Sequence, residues 1–374
     1  MNPARGKLRP YQRRIFALIV VVVVVAAAFG AYYYATSHSQ GKRTIVVYTY
    51  SSFMKYGSNA TQAYNIVFGT FEREYNVNIR IVTPSGGLLS TLEAQKGSPQ
   101  ADIVIGLTNM DGYTAVKDGL LVKYTPPAEK YINRTLLQEM GIAAQYLTPY
   151  EYSYLGIDYN VSYFEPNRQY LTPTFEQLTE AQYASNLLLE NPTTSDTGEG
   201  FLLWEISYYE YVLHQNWTDF WQSIKQYATN HIYPSWTDAF NQFETGPGKN
   251  MVVSYLTDPA YNAYFGYGNN TNSTVTYYNG TAYGWRTIYA IGIVNHSKYL
   301  SLDEAFVNYF LSPTVQNEIP TNEWMYPANV TISLPSVYSA APSQQGIYPL
   351  NNYLNATTIA QNIEQWEVEW QLIM

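Results

Sequence analysis

The stretch Ile45-Val46-Val47-Tyr48-Thr49-Tyr50-Ser51-Ser52-Phe53 decides how the rest of this chain is read. Its first half is β-branched and apolar, which suits a buried strand. Its second half turns aromatic and hydroxylic, which suits the end of that strand opening into a cleft. Tyr64, Val67, Phe68 and Phe71 follow at i, i+3, i+4 and i+7, the spacing of one helix face. Strand, loop and helix in that order put polar aromatic groups at the strand's carboxyl edge, where open α/β sheets bind small ligands. The competing reading is an ordinary first strand, with Tyr50 a half-buried tyrosine.

Working outward, Val77 to Val82 alternates apolar and polar and predicts a second strand. Pro84-Ser85-Gly86-Gly87 breaks the chain before a helix that starts near Leu88. Such a turn aims amide N–H groups at an anion, but it also occurs for purely geometric reasons. Asp102 to Gly106 is a short buried strand, and Glu151 to Asn160 is strand-like with interleaved tyrosines. Asn191 to Gly198 leads into an apolar helix from about Phe201, with Ser195 and Asp196 suited to cap it. Trp217, Phe220, Trp221 and Ile224 mark an amphipathic helix. Trp236 falls in a short polar turn, Met251 to Tyr255 is a strand, and Gly266 to Gly280 reads as a surface loop. Ser301 and Glu304 form a capping box for a helix carrying Phe306 and Phe310. There is no internal repeat.

With 374 residues the chain can hold two lobes, each with its own core. There is no Cys, which excludes disulfides, thiolate chemistry and cysteine zinc sites. The four His are scattered without metal-ligand spacing. Arg5, Lys7, Arg9, Arg13 and Arg14 precede the first long apolar run with no acid among them. Taking those five charges from the net −9 leaves −14 for the remainder, which argues against a nucleic-acid binder.

Ile15 to Ala31 is apolar without a break, and Tyr32, Tyr33 and Tyr34 continue it. About twenty residues of helix cross a bilayer core. The run predicts a transmembrane anchor over 15–34, with a cytosolic basic segment 1–14 before it and a tether 35–43 after it. A cleaved signal peptide is the competing reading, since small residues lie at Ala26 to Ala31. Ten Asn-X-Ser/Thr sequons, from Asn59 to Asn355, all follow the run and agree with a body outside the cell. Gly-x-Ser-x-Gly, P-loop and His-Glu-x-x-His motifs are lacking, though paired carboxylates leave a surface glycoside hydrolase open. A structural surface-layer protein is a further reading that the tyrosines and sequons allow.

Five blocks in order resemble the thiamine-binding proteins that deliver ligand to ABC importers. Val47 to Phe53 is similar to that family's Val-Tyr-Thr-Tyr-Asp-Ser-Phe, and Ala101 to Asn109 to its Ala-Asp-Val-Val-Leu-Gly-Leu-Asp-Asn. Pro192 to Trp204 resembles Pro-x-Thr-Ser-x-x-Gly-x-Gly-x-Leu-Leu-Trp, and Ser254 to Tyr261 resembles Ser-Tyr-Thr-Thr-Ser-Pro-Ala-Tyr. Ile319 to Pro327 is close to Ile-Pro-Thr-Gly-Asn-Trp-Met-Tyr-Pro. The likeness runs from about Thr44 to the end.

The resemblance implies an α/β, two-lobed periplasmic-binding-protein-like fold of type II, each lobe a mixed sheet flanked by helices. Lobe I would be 44–148 with 285–312, and lobe II 149–284 with 313–374. The chain would cross between lobes near Tyr150 to Tyr154, near Trp285 to Ala290 and just after Ser312. Carried over by position, Tyr50, Trp236, Tyr255, Tyr261 and Trp324 would line an aromatic site, with Ser51 and Ser195 as polar contacts. Ser85, Gly86 and Gly87 would meet a phosphate if the ligand carries one. The resemblance further implies thiamine or its phosphates as ligand, no cofactor or metal, no enzymatic activity, a monomeric chain, and ABC permease subunits as partners. The alternative within the fold is a ferric-ion binder, with Tyr208-Tyr209 and Tyr277-Tyr278 as adjacent phenol pairs.

Two departures stand out. The family's Asp residues in the first two blocks are Ser51 and Thr108 here. If those carboxylates balance the ligand's cation, this chain must use others, among Asp102, Glu151, Asp196, Asp238, Asp258 and Glu323, or rely on aromatic faces.

Overall fold

A computed structural model describes residues 42–165, 170–267 and 270–374. The apolar run Ile15 to Tyr34 lies outside the described residues; among those described, no helix is long and apolar enough to cross a membrane.

The β-branched runs become strands. In chain order these are β1 Arg43–Thr49, β2 Val77–Val82, β3 Ile103–Thr108, β4 Leu147–Asn160, β5 Leu187–Glu190, β6 Ile232–Tyr233 and β7 Met251–Tyr255. They continue with β8 Thr271–Thr274, β9 Thr276–Tyr278, β10 Thr281–Gly284, β11 Arg286–Ile293, β12 Tyr326–Pro327 and β13 Ile347–Pro349. The main sheet runs β2-β1-β3-β11-β4-β7-β5-β6. β1 is parallel to β2 and β3, β5 is parallel to β6 and β7, and β11 and β4 lie antiparallel between these groups.

β4 joins the two halves. Its Leu147 to Tyr154 pair with β11, and its Leu155 to Tyr159 pair with β7. Among the described residues two large hydrophobic cores follow from this, with two small clusters beside them. Ile45, Val47, Phe68, Phe71, Ile105 and Phe310 belong to the first, while Ile157, Phe175, Trp204, Phe220 and Trp370 belong to the second. Tyr150 packs in the first core and Tyr154 in the second, so the change of lobe falls within a few residues of one strand. Among the described residues the one ion pair, Arg286 with Glu139, sits beside this strand, and Arg286 also donates to the Tyr154 phenol at 2.7 Å.

Four local expectations need correction. The chain does not leave the first core at Ser312. Val315, Ile319, Met325 and Ala328 still pack there, and Val330 N–H donates to the Tyr131 carbonyl; the second core resumes at Leu350. Trp236 is the first residue of the helix Trp236–Thr245 rather than part of a turn, because Ser235 caps that helix by accepting from Asp238 N–H at 3.2 Å. The segment 266–280 contains β8 and β9, with Thr274 and Thr276 buried. Its strands are built from Thr, Asn and Ser, so apolar alternation did not mark them. The Ser301–Glu304 capping box does not form, since the helix Leu300–Phe310 begins one residue before that serine.

Candidate functional site

The loops that leave the carboxyl ends of β1, β2, β5, β6 and β7 converge on one cavity of about 470 Å³ between the two cores. This is the edge at which open α/β sheets hold ligands. All seven ligand-contact candidates line it: Tyr50, Ser51, Ser195, Trp236, Tyr255, Tyr261 and Trp324. Ser85 and Gly87 reach its rim, whereas Gly86 does not line it; the Gly86 carbonyl instead accepts from Ser90.

Tyr50 enters the cavity where β1 ends. Gly106 on β3, at φ +116, lies directly beneath the ring, and a Cβ there would come within 2.5 Å of Tyr50 Cδ1. The glycine therefore both adopts a backbone shape that other residues resist and makes room for the phenol. The Tyr50 hydroxyl lies 2.9 Å from Glu151 Oε1, 2.8 Å from Glu323 Oε2 and 3.1 Å from the Tyr150 hydroxyl. Burial, with both carboxyls beside it, holds the Tyr50 phenol well above its ordinary value.

Trp236 forms the opposite wall. Its indole N–H donates to Ser254 Oγ at 2.8 Å, and Ser254 donates in turn to the Asp258 carboxyl. Its ring stacks on Phe240 with centroids 4.8 Å apart, and Tyr56 meets it edge-on at 5.2 Å. Tyr56 also meets Tyr261 at 6.2 Å. Tyr255, at the end of β7, shares a 2.8 Å hydroxyl contact with Tyr289 of β11. Trp324 lines the cavity but is only 3 % exposed. Its indole N–H donates to the Tyr56 carbonyl at 3.0 Å and its ring packs on Tyr261 and Tyr264.

Ser195 is the cap that its position before a helix predicted: its hydroxyl accepts from Gly198 N–H at 3.5 Å and lies 2.8 Å from the Thr197 hydroxyl. Ser51 is exposed at the cavity edge. Thr108 plays another part, binding the Asp111 carboxylate through its N–H at 2.7 Å and its hydroxyl at 2.9 Å.

Of the six candidate carboxyls, four line the cavity: Glu151, Asp196, Asp258 and Glu323. The other two are structural. Asp102 accepts from Val46 N–H at 2.8 Å, and Asp238 accepts from Ser235 within its helix cap. Burial pushes Asp196 up to about 7 and Glu323 up to about 8. Burial, and then the neighbouring Glu323, holds Glu151 well above the carboxylate range. No Lys, Arg or His is among the lining residues. The cavity thus offers aromatic faces and acids, a combination that suits a flat or cationic guest.

The sequence profile described as bacterial extracellular solute-binding protein matches residues 50–317. The chain belongs to this family. A thiamine-binding periplasmic protein of Brucella suis is 26% identical over 340 residues, covering 89% of this chain and 92% of that one. One from Escherichia coli is 28% identical over 298 residues, covering 78% and 83%. Among solved structures, a periplasmic thiamin binding protein superposes with TM-score 0.73 at 24% identity, over 90% of this chain and 97% of that one. Iron-bound HitA from Pseudomonas aeruginosa superposes with TM-score 0.65 at 16% identity, over 88% and 99%. These last two likenesses establish the two-lobed fold.

As a solute-binding protein the chain is a carrier, which displaces the hydrolase alternative. The tyrosine pairs singled out for iron do not reach the cavity of this solute-binding protein. Tyr208 and Tyr209 are buried in the second core, and the Tyr208 hydroxyl donates to the Tyr277 carbonyl. Sequence reasoning missed Tyr56, Phe240 and Tyr289 at the cavity. Tyr56 follows the first block by only three residues, and its closeness to Tyr50 in the chain was the one available signal.

Proposed function

We propose that this chain captures thiamine between its two lobes and delivers it to the permease subunits of an ABC importer. The observation that carries this reading is the cavity's chemistry. Rings from Tyr50, Tyr56, Trp236, Tyr255 and Tyr261 surround a space lined by four carboxyls and no basic side chain. Thiamine brings a permanently cationic thiazolium and a flat aminopyrimidine. An aromatic face attracts such a cation by about 0.5–2 kcal/mol, and hydroxyls and carboxyls can hold the exocyclic amine. The names of the relatives point the same way.

The same chemistry ranks the ligands. A phosphate ester would meet N–H donors at the Ser85–Gly87 turn and at the helix starts after Ser195 and Ser235, but beside four acids and no basic side chain. Thiamine should therefore raise the melting temperature more than an equal concentration of its mono- or diphosphate. A larger shift with either phosphate would count against the ranking.

Each lobe closes on ligand about β4 and β11, so that bound ligand favours the closed form through contacts to both lobes. The apolar run Ile15 to Tyr34, with basic residues before it, anchors the body outside the cytoplasmic membrane. Protease added to intact cells should then digest the body; a protected body would sink the topology. Glycosylation, where it occurs, falls on exposed sequons such as Asn59, Asn216, Asn279 and Asn355. Asn329 is 1 % exposed and bonded to the Leu311 carbonyl, which removes that sequon from use.

A further inference from the structure

We propose that Glu323 is the carboxylate that balances the ligand's positive charge, and that it releases a proton to solvent as the ligand enters. The inference rests on the thiamine reading and assigns a role that the family's own motif does not place here. Where the resembling proteins carry Asp in the opening block this chain has Ser51, and where they carry Asn before the Trp-Met-Tyr-Pro run it has Glu323. Ser51 and Glu323 both line the cavity, so a carboxyl lost from one wall is regained on another.

The proton follows from counting hydrogens. Tyr50 has one hydroxyl hydrogen, yet its oxygen is within hydrogen-bond reach of Glu151 Oε1 and Glu323 Oε2. One hydrogen cannot serve two carboxylates, so at least one carboxyl brings its own. Two ionised carboxylates around one phenol, with no basic residue lining the cavity, would repel each other unscreened. The groups facing Glu323 are Tyr50, Tyr56 and the Met54 N–H from the loop after β1, and Glu151 with Tyr150 from β4. Tyr56 is also within the field of Asp258, on the helix after β7. None of these side chains is a cation. Burial holds both carboxyls above the ordinary range, Glu323 to about 8, and for Glu151 the neighbouring Glu323 adds to it.

In the empty cleft the chain of donors runs from Glu323 Oε2–H to the Tyr50 oxygen and from Tyr50 O–H to Glu151 Oε1. The proton of Glu151 is then on Oε2, which has no other partner. When a cation enters, Glu323 loses its proton to water and the chain reverses. The Glu151 carboxyl turns about its Cγ–Cδ bond so that its O–H donates to Tyr50, and Tyr50 donates to the Glu323 carboxylate, which keeps the Met54 N–H as a second donor. Glu323 is the partner that ionises because it is the less buried of the two, whereas Glu151 is 1 % exposed.

The test is calorimetry of the purified full-length chain with thiamine near pH 7, in two buffers of different ionisation enthalpy. The expected result is release of roughly 0.5–1 proton per ligand bound. Affinity should rise by up to about tenfold per pH unit from about pH 6 and level off above about pH 8. E323Q, which keeps an acceptor for Met54 N–H, should abolish the release and weaken thiamine at pH 8 by at least about tenfold. Thiochrome, a neutral fused-ring relative of thiamine, should bind wild type and E323Q within about twofold of each other with no proton release. Wild type that binds thiamine with a pH-independent constant overturns the inference without touching the thiamine reading, and this outcome needs no variant. Release that persists in E323Q but vanishes in E151Q also overturns it, by giving the proton to the other carboxyl. No binding of thiamine to wild type at any pH would instead end the reading on which the inference rests.

Discussion

Trp236→Ala and Tyr261→Ala should each weaken thiamine binding by about 1–3 kcal/mol, roughly a factor of five to a hundred and fifty in Kd. Both rings are half-buried and present a face to the cavity in the empty protein. Their loss removes stacking and cation–π attraction while leaving most of the core intact. Trp236 does stack on Phe240, so its removal will carry some cost to stability as well. Trp324 should behave differently. It is almost wholly buried against Tyr261, Tyr264 and Phe265, so Trp324→Ala should destabilise the empty protein by about 3–5 kcal/mol. Tyr261→Phe should cost less binding than Tyr261→Ala, because the ring face supplies the attraction. Thermal melts without ligand, set beside titrations with thiamine, separate the two behaviours. Unchanged thiamine affinity in both Trp236→Ala and Tyr261→Ala would show that these walls do not hold the ligand.

The second large effect is on stability against pH. Glu151, Asp158, Glu190 and Glu205 are buried, and burial holds each well above the ordinary carboxylate range. Asp303 is pushed up to about 7 by the same cause. Below the unfolded carboxyl pKa, about 4, both states are protonated and the fold keeps its full stability. As pH rises past that value the unfolded chain ionises while the folded chain does not. Stability then falls with rising pH until the folded pKa of each group is passed. The protein should thus melt higher near pH 4 than near pH 8, by about ten degrees or more for a loss of several kcal/mol. Asp158→Asn should flatten this dependence, since that side chain is fully buried beside Asp258. A melting temperature that climbs from pH 4 to pH 8 would contradict the assignment of neutral buried acids.

Much of the fold was legible because its strands advertise themselves. The runs Ile45 to Val47 and Ile103 to Ile105 are buried in the sheet and read as unbroken β-branched stretches. β8 and β9 were hidden, since hydroxyl and amide side chains carry no apolar alternation. The third crossing was misplaced because Val315 and Ile319, on short turns after Pro313, would suit either core equally well. At the site, the residues inside recognisable blocks reached one cavity, from Tyr50 to Trp324. What single-chain reading could not supply was distance. Tyr50 and Glu323 are 273 residues apart in sequence, and only the folded chain shows one phenol serving two glutamates. Glu323 was one acid among six until the fold removed Asp102 and Asp238 and set Glu323 against Tyr50.

Calorimetric titration of the wild-type protein with thiamine, followed by ferric ion under the same conditions, tests the central claim most directly. The account predicts saturable binding of one thiamine per chain and no visible tyrosinate–iron band. Absence of saturable thiamine binding, or a ferric complex with that band and the tighter constant, would contradict it.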